Sequence, residues 1–146
     1  KLNKKWTDRF TEQLGRLGEI LMKIQERSDI AATKGNDTSA VNAAIQTAQT
    51  AITTAQAAVT AQAAKTYVLN ASAVTTTVAT TTDKGQENLI KGLRTQFQSL
   101  HKALFKDLFA LRDGVMKNAR SAVQGALKTL SQIQKIQKTD DNANNQ

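Results

Sequence analysis

The sequence has no cysteine and no proline among its 146 residues. The missing thiols exclude disulfides, thiolate metal sites and cysteine nucleophiles, although they do not fix the cellular compartment. The missing proline is unusual for a chain of this length unless most of it is helical with few tight turns. Together these absences favour an all-α fold that is held by packing alone.

Groups that carry chemistry are also scarce. His101 is the only histidine, and without cysteine or a second histidine it completes no recognisable zinc, haem or facial-triad site. The scattered glycines form no phosphate-binding loop, and we interpret Gly15 and Gly18 as positions of close helix approach. The adjacent acids Asp140 and Asp141 lie in the C-terminal tail, so no acid/base pair is indicated. We predict a protein that is not an enzyme and takes no cofactor or metal.

Aromatic residues make up only 4% of the chain, so its core must be aliphatic and narrow. The aromatic residues that fall on or near predicted apolar seams are Trp6, Phe10, Phe97, Phe105 and Phe109. Core packing is the favoured role for these rings, and a surface platform for stacking is the alternative.

Residues 2–34 carry apolar positions at alternating spacings of four and three, which is the heptad pattern of a helix that packs on other helices. Lys34-Gly35-Asn36 should end this helix, because Gly and Asn tolerate the left-handed conformation of a C-cap. Asp37 or Thr38 would then cap the next helix. The predicted seam is Phe10, Leu14, Leu17, Leu21, Ile24, Ser28 and Ala31.

The second helix contains a seven-residue repeat in which alanine precedes isoleucine or valine. We predict helix over 38–69, extending to 82 if the threonine-rich stretch 70–85 is helical rather than a loop. Between Thr38 and Thr82 the only charged side chain is Lys65, so this helix presents a neutral surface. The predicted inner stripe is Val41, Ile45, Ala48, Ile52, Ala55 and Val59.

The third helix is predicted over 86–137, and at 1.5 Å per residue its roughly 50 residues would form a rod of ~75 Å. Gly114 is a candidate bend within it. The tail 139–146 has no apolar residue except alanine and is predicted to be disordered. The predicted seam is Leu93, Phe97, Leu100, Leu104, Leu108, Leu111, Val115, Ala119, Ala122, Ala126, Leu130 and Ile133.

Three amphipathic helices with short connections predict an all-α, up-down-up antiparallel three-helix bundle, coiled-coil-like, as a single domain over residues 1–138. If the second helix continues to 82, the first helix is the shortest. Either residues that precede Lys1 complete this helix, or the third helix projects beyond its partners.

The formal net charge of +8 favours anionic partners. Residues 114–139 contain no acidic side chain and carry an apolar stripe beside their basic positions. This segment is either packed in the bundle with a solvated basic face, or a projecting basic amphipathic helix that contacts an anionic partner. The predicted contact residues are Lys117, Arg120, Lys128, Lys135 and Lys138.

The run Arg16-Leu17-Gly18-Glu19-Ile20, then Ile24, Arg27 and Gly35-Asn36-Asp37-Thr38-Ser39-Ala40, leads into the Ala-Ile/Val repeat. These features resemble uncharacterised secreted Ala/Thr-rich helical-bundle proteins of ultra-small candidate-phylum bacteria. The resemblance implies export and a helical hairpin or three-helix bundle, and it carries no activity or cofactor. The chain begins at Lys1 rather than Met, so we expect a secreted or cell-surface protein whose signal peptide has been removed, with a cytoplasmic location as the alternative.

These features predict a non-catalytic structural or interaction protein that binds a protein partner or a second copy of itself through helix faces. Its neutral second helix offers little charge to oppose assembly. The alternative is a basic helical protein that binds a membrane surface, a cell-wall polymer or, less favoured, nucleic acid, because no recognised nucleic-acid motif is present. No apolar stretch of the sequence has the length of a transmembrane segment.

Overall fold

The computed structural model describes the backbone of residues 1–69 and 83–143, and the side chains of 1–69 and 85–133. Throughout these ranges the regular structure is helical, which confirms the all-α prediction. In chain order the helices are α1 (Leu2–Thr33), α2 (Ser39–Ala63), α3 (Asp83–Leu111) and α4 (Lys117–Ala143), with a π-helical turn at Arg112–Met116 between α3 and α4.

The core lies where α1, α2 and α4 pack together, and the end of α3 joins it through Leu104 and Leu108. All six predicted inner residues of α2 are buried, as are the predicted seam residues of α1 except Leu17, which is half-buried. Alanine alternates with larger aliphatic residues along α2, which allows neighbouring helices to approach closely. The heptad patterns of α1 and α2 are thus confirmed.

The connection from α1 to α2 begins with the predicted C-cap, whereas Thr38, the N-cap residue of α2, makes no side-chain capping hydrogen bond. The N–H of Asn36 donates to the Ala31 carbonyl at 3.2 Å, and that of Gly35 donates to the Ala32 carbonyl at 2.9 Å. This pair of bonds is the Schellman motif, which requires a left-handed residue, and Gly35 has a φ of 83°. Asp37 then accepts a hydrogen bond from the backbone N–H of Ser39 at 2.9 Å. The Ser39 side chain, and then this backbone bond, lower the pKa of the Asp37 carboxyl group.

Replacing Gly35 by alanine is expected to lower the free energy of unfolding by about 1 kcal/mol, because a Cβ atom is strained at this φ. The matched control is Gly15→Ala, which should raise it by about 0.5–1 kcal/mol through higher helix propensity. A Cβ atom added at Gly15 or Gly18 meets no other atom within 4 Å, so the predicted close helix approach there is wrong. Urea denaturation followed by Trp6 fluorescence would measure both changes, and equal stability of the two variants would contradict the assignment.

The second helix ends at Ala63, earlier than the predicted boundary at residue 69. The Asn3 side-chain amide donates to the carbonyls of Gln62 at 2.9 Å and Lys65 at 3.2 Å. These bonds tie the end of α2 to the first turn of α1, while the Gln62 carbonyl also accepts the backbone N–H of Lys65 at 3.1 Å. The predicted extension across 70–82 lies outside the described residues.

The third predicted helix contains the π turn, and Gly114, the predicted interruption, lies inside it. A π turn holds more residues than an α turn and therefore rotates the following side chains around the helix axis. Met116 and Val123 are buried in the core, whereas the predicted seam residues Val115 and Ala122 are only half-buried. The predicted seam of α4 is corrected at these two positions.

The backbone of α4 is helical through Ala143, past the predicted helix end at residue 137 and into the tail 139–146 for which disorder was predicted. Each added helical residue gains one backbone hydrogen bond, so a helix can continue without an apolar residue in every turn. Residues 144–146 lie outside the described part of the chain.

Candidate functional site

A polar cluster joins the first turn of α1, the end of α2 with the segment after it, and the C-terminal part of α3. The Tyr67 hydroxyl donates to Asp107 Oδ2 at 2.7 Å, and Lys65 Nζ lies 2.9 Å from the same oxygen. The Gln62 side-chain amide donates to the Tyr67 oxygen at 2.7 Å and to Asn3 Oδ1 at 3.1 Å. These contacts hold the chain that follows α2 against both neighbouring helices.

The charges of this cluster are held in their ordinary states. The Lys65 ammonium, and then the Tyr67 hydroxyl, lower the pKa of Asp107. Desolvation, and then the neighbouring Asp107, raise the pKa of Tyr67, while the hydrogen bond to Asp107 raises the pKa of Lys65. Each shift moves the pKa of its group further from neutral pH, so the cluster fits a structural clamp rather than a proton-transfer site.

An Asp107→Asn variant is expected to lose about 1 kcal/mol of stability at neutral pH, since its hydrogen bonds are charge-assisted but partly solvated. Asp107 has a folded-state pKa below its ordinary value of 3.8. Its stabilisation is therefore present above that value and is lost as the pH falls through the lowered pKa. The difference from wild type should shrink in acid. Urea titrations across pH would measure it, with the exposed Asp8→Asn as control, and a pH-independent difference would contradict the assignment.

The predicted anionic-contact residues lie on a helix whose apolar face already packs in the core. Lys117, Arg120 and Lys128 are exposed on α4. The stripe beside them packs in the core through Ala119, Val123, Ala126 and Leu130. This favours the packed interpretation of the segment over a projecting amphipathic helix. The side chains of Lys135 and Lys138 lie outside the described residues.

Aromatic rings form a column along α3, which we call the aromatic ladder: Phe97, His101, Phe105 and Phe109. Residues four apart lie one above another on a helix, and successive ring centroids are 6.4, 4.5 and 5.6 Å apart. The Arg112 guanidinium lies 4.6 Å from the centroid of the Phe109 ring, within the range of a cation–π contact.

Much of this ladder faces solvent. Phe97 is 61% exposed and Phe109 is 42% exposed, so the predicted core role is wrong for these two rings. Phe10 is buried and Trp6 packs against the core, as predicted. The sequence carries a signal for the ladder, because aromatic residues that recur every four positions stack along one side of a helix. Phe105 and Phe109 also each follow a buried leucine and so point about 100° away from it.

Beside the ladder lies an exposed apolar surface that the sequence interpretation missed. An open groove of about 590 Å³ separates the start of α1, the segment after α2 and the side of α3. The apolar residues that line this groove, which we call the end patch, include Leu2, Val68, Leu69, Phe97 and Leu100. Val68, at 72%, is its most exposed member.

Neither a metal site nor a transmembrane helix is found in the part of the chain that the structure describes. There, no three side chains of His, Asp or Glu are grouped to hold a metal ion, and no helix has both the length and the apolar character to cross a bilayer. Comparison with known protein families, curated proteins and solved structures gives no match for this chain.

Proposed function

We propose that this chain is a non-catalytic interaction protein, exported, with an up-down-up, coiled-coil-like bundle that binds partners through exposed helix faces. The observation that carries the proposal is the end patch with the adjacent aromatic ladder. Large apolar side chains there remain exposed outside the core that α1, α2, α4 and the end of α3 form. Contiguous exposed apolar surface commonly marks a contact site.

A second copy of the chain is the partner we propose for the outer face of α2. Copies with a net charge of +8 repel one another, and the repulsion is smallest where an uncharged surface is presented. Thr47, Thr50 and Thr54 line an open groove of about 680 Å³ between α2 and the start of α4. Their hydroxyls already donate to carbonyls of their own helix at 2.9–3.0 Å, so packing against them leaves no donor unsatisfied.

Sedimentation velocity over a range of protein and salt concentrations tests self-association. We expect a concentration-dependent oligomer that is lost in Thr50→Lys/Thr54→Lys, because each copy then brings two further charges to the contact. The control, Thr11→Lys/Gln13→Lys, adds the same charges to exposed positions of α1 and should still associate. A strict monomer at the highest concentration under every salt condition would refute self-association.

The alternative function is binding of an anionic partner along α4. It is favoured by the exposure of Lys117, Arg120 and Lys128, with no acidic residue in the sequence of α4 before Asp140. Each basic residue near an anionic membrane contributes about 1 kcal/mol. Replacing all three by glutamine should therefore weaken binding to anionic vesicles by roughly 3 kcal/mol if this face is the contact. Unchanged binding would exclude α4 as the main contact.

A further inference from the structure

We infer that the end patch and the aromatic ladder together form a contact for the interface of an anionic lipid bilayer. The inference rests on the proposed function, namely that exposed helix faces of this bundle bind partners. It names the partner of the apolar surface at one end of the molecule, and it is independent of self-association through α2.

The apolar side chains are contributed by separate parts of the chain. Leu2 begins α1, Val68 and Leu69 follow α2, and Phe97 lies on α3. All four are exposed, and all four line the same groove. Exposed apolar side chains gathered at one end of a folded protein can enter the boundary between lipid headgroups and acyl chains, and an interfacial contact of this kind requires no transmembrane helix.

Basic side chains lie beside this surface, because Arg94, Lys102 and Lys106 each precede a phenylalanine of the ladder by three residues and so neighbour it on the helix. Lys1 lines the groove, and Arg94, Lys102 and Lys106 are exposed on α3. The ion pairs between described side chains do not include Arg94, Lys102 or Lys106. The nearby carboxylate of Asp107 is already paired with Lys65. The surface therefore combines apolar side chains with positive charges that no ion pair between described side chains neutralises, the combination that anionic lipid attracts.

Charge and ring geometry disfavour the other occupants. A second copy would bring the same positive charges to the contact. Nucleic acid would stack bases on open ring faces, but the rings of the ladder contact one another, with centroids as close as 4.5 Å. A protein partner would need a surface shaped to this groove, whereas a bilayer interface accepts protruding side chains of any outline.

Vesicle co-sedimentation with the full chain tests the inference. Wild type should bind vesicles that contain phosphatidylglycerol, bind much less to pure phosphatidylcholine, and lose binding as salt rises. The variant Val68→Ser/Phe97→Ser should partition at least about tenfold less. The matched control is Met22→Ser/Ile30→Ser on α1, because Met22 and Ile30 are similarly exposed at 62% and 56%. The vesicle partitioning of this control should differ from that of wild type by less than about twofold.

A second readout locates the contact. In a Trp6→Phe background, Phe97→Trp should give a blue-shifted emission with anionic vesicles, whereas Met22→Trp should not. Urea denaturation by circular dichroism checks that each variant is folded, and it should show the serine variants within about 0.5 kcal/mol of wild type.

Several outcomes would overturn the inference. If wild type does not bind anionic vesicles, the inference is wrong. Self-association measured by sedimentation would still support the proposal for α2 in that case. Binding that survives Val68→Ser/Phe97→Ser but is lost in the Lys117, Arg120 and Lys128 triple variant assigns the contact to α4 instead. If the serine variants lose binding to a single-stranded oligonucleotide or an acidic peptide but keep vesicle binding, the surface serves that partner and the inference is wrong.

Discussion

Met116→Ala is expected to lower the free energy of unfolding by about 2–5 kcal/mol, the usual cost of truncating a fully buried methionine. Met116 lies in the π turn and packs in the core. Its removal leaves a cavity where α3 passes into α4, and a well-packed bundle relaxes only partly around such a cavity. Urea denaturation followed by the fluorescence of Trp6 measures the loss.

The neighbouring Val115→Ala is the control, because Val115 is half-buried and lines the open groove between α2 and the start of α4. Its expected cost is about 1 kcal/mol or less. An uninterrupted heptad would place Val115 in the core and predict the opposite order. A larger loss for Val115→Ala than for Met116→Ala would therefore show that the π turn does not set the register of α4.

Ala55→Leu is expected to destabilise the bundle by about 1–3 kcal/mol or more, since the added side chain must enter a closely packed helix interface. Ala55 is fully buried in the core. The strain either pushes α2 away from its neighbours or forces their side chains out of preferred rotamers. Thermal and urea unfolding would both report it.

Ala57→Leu is a matched control with the same substitution on the same helix. Ala57 is exposed, and alanine and leucine both have high helix propensity. Its effect should therefore stay within about 0.5 kcal/mol. Equal effects at Ala55 and Ala57 would mean that α2 does not present its alanines to the core as the structure places them.

Local pattern was sufficient for the first two helices. Every apolar position of α2 that the seven-residue repeat predicted is buried, and the glycine at residue 35 adopts the left-handed conformation that its place after a helix required. These features depend on residues a few positions apart, so helical periodicity and capping rules reach them. The all-α class follows from the same patterns and from the absence of proline.

Features that depend on contacts between distant residues could not be predicted. α2 ends beside Asn3, which is far away in sequence and whose side-chain amide donates to the carbonyls of Gln62 and Lys65. The clamp of Tyr67 and Lys65 on Asp107 likewise joins segments that no local pattern connects. In the sequence Lys65 was notable only as the single charged residue of a neutral region, and nothing there indicated Asp107 as its partner.

The sequence by itself determined that this chain is helical, which residues form the core of α1 and α2, and where their connection turns, because backbone preference and periodicity are local properties. Only the tertiary structure decided which part of the third apolar seam is buried. Phe97 and Leu104 are seven residues apart on that seam, yet Leu104 is buried against the bundle and Phe97 is exposed beyond it. Periodicity shows that a side chain lies on the apolar face of a helix, but whether that face is covered depends on how far the neighbouring helices extend.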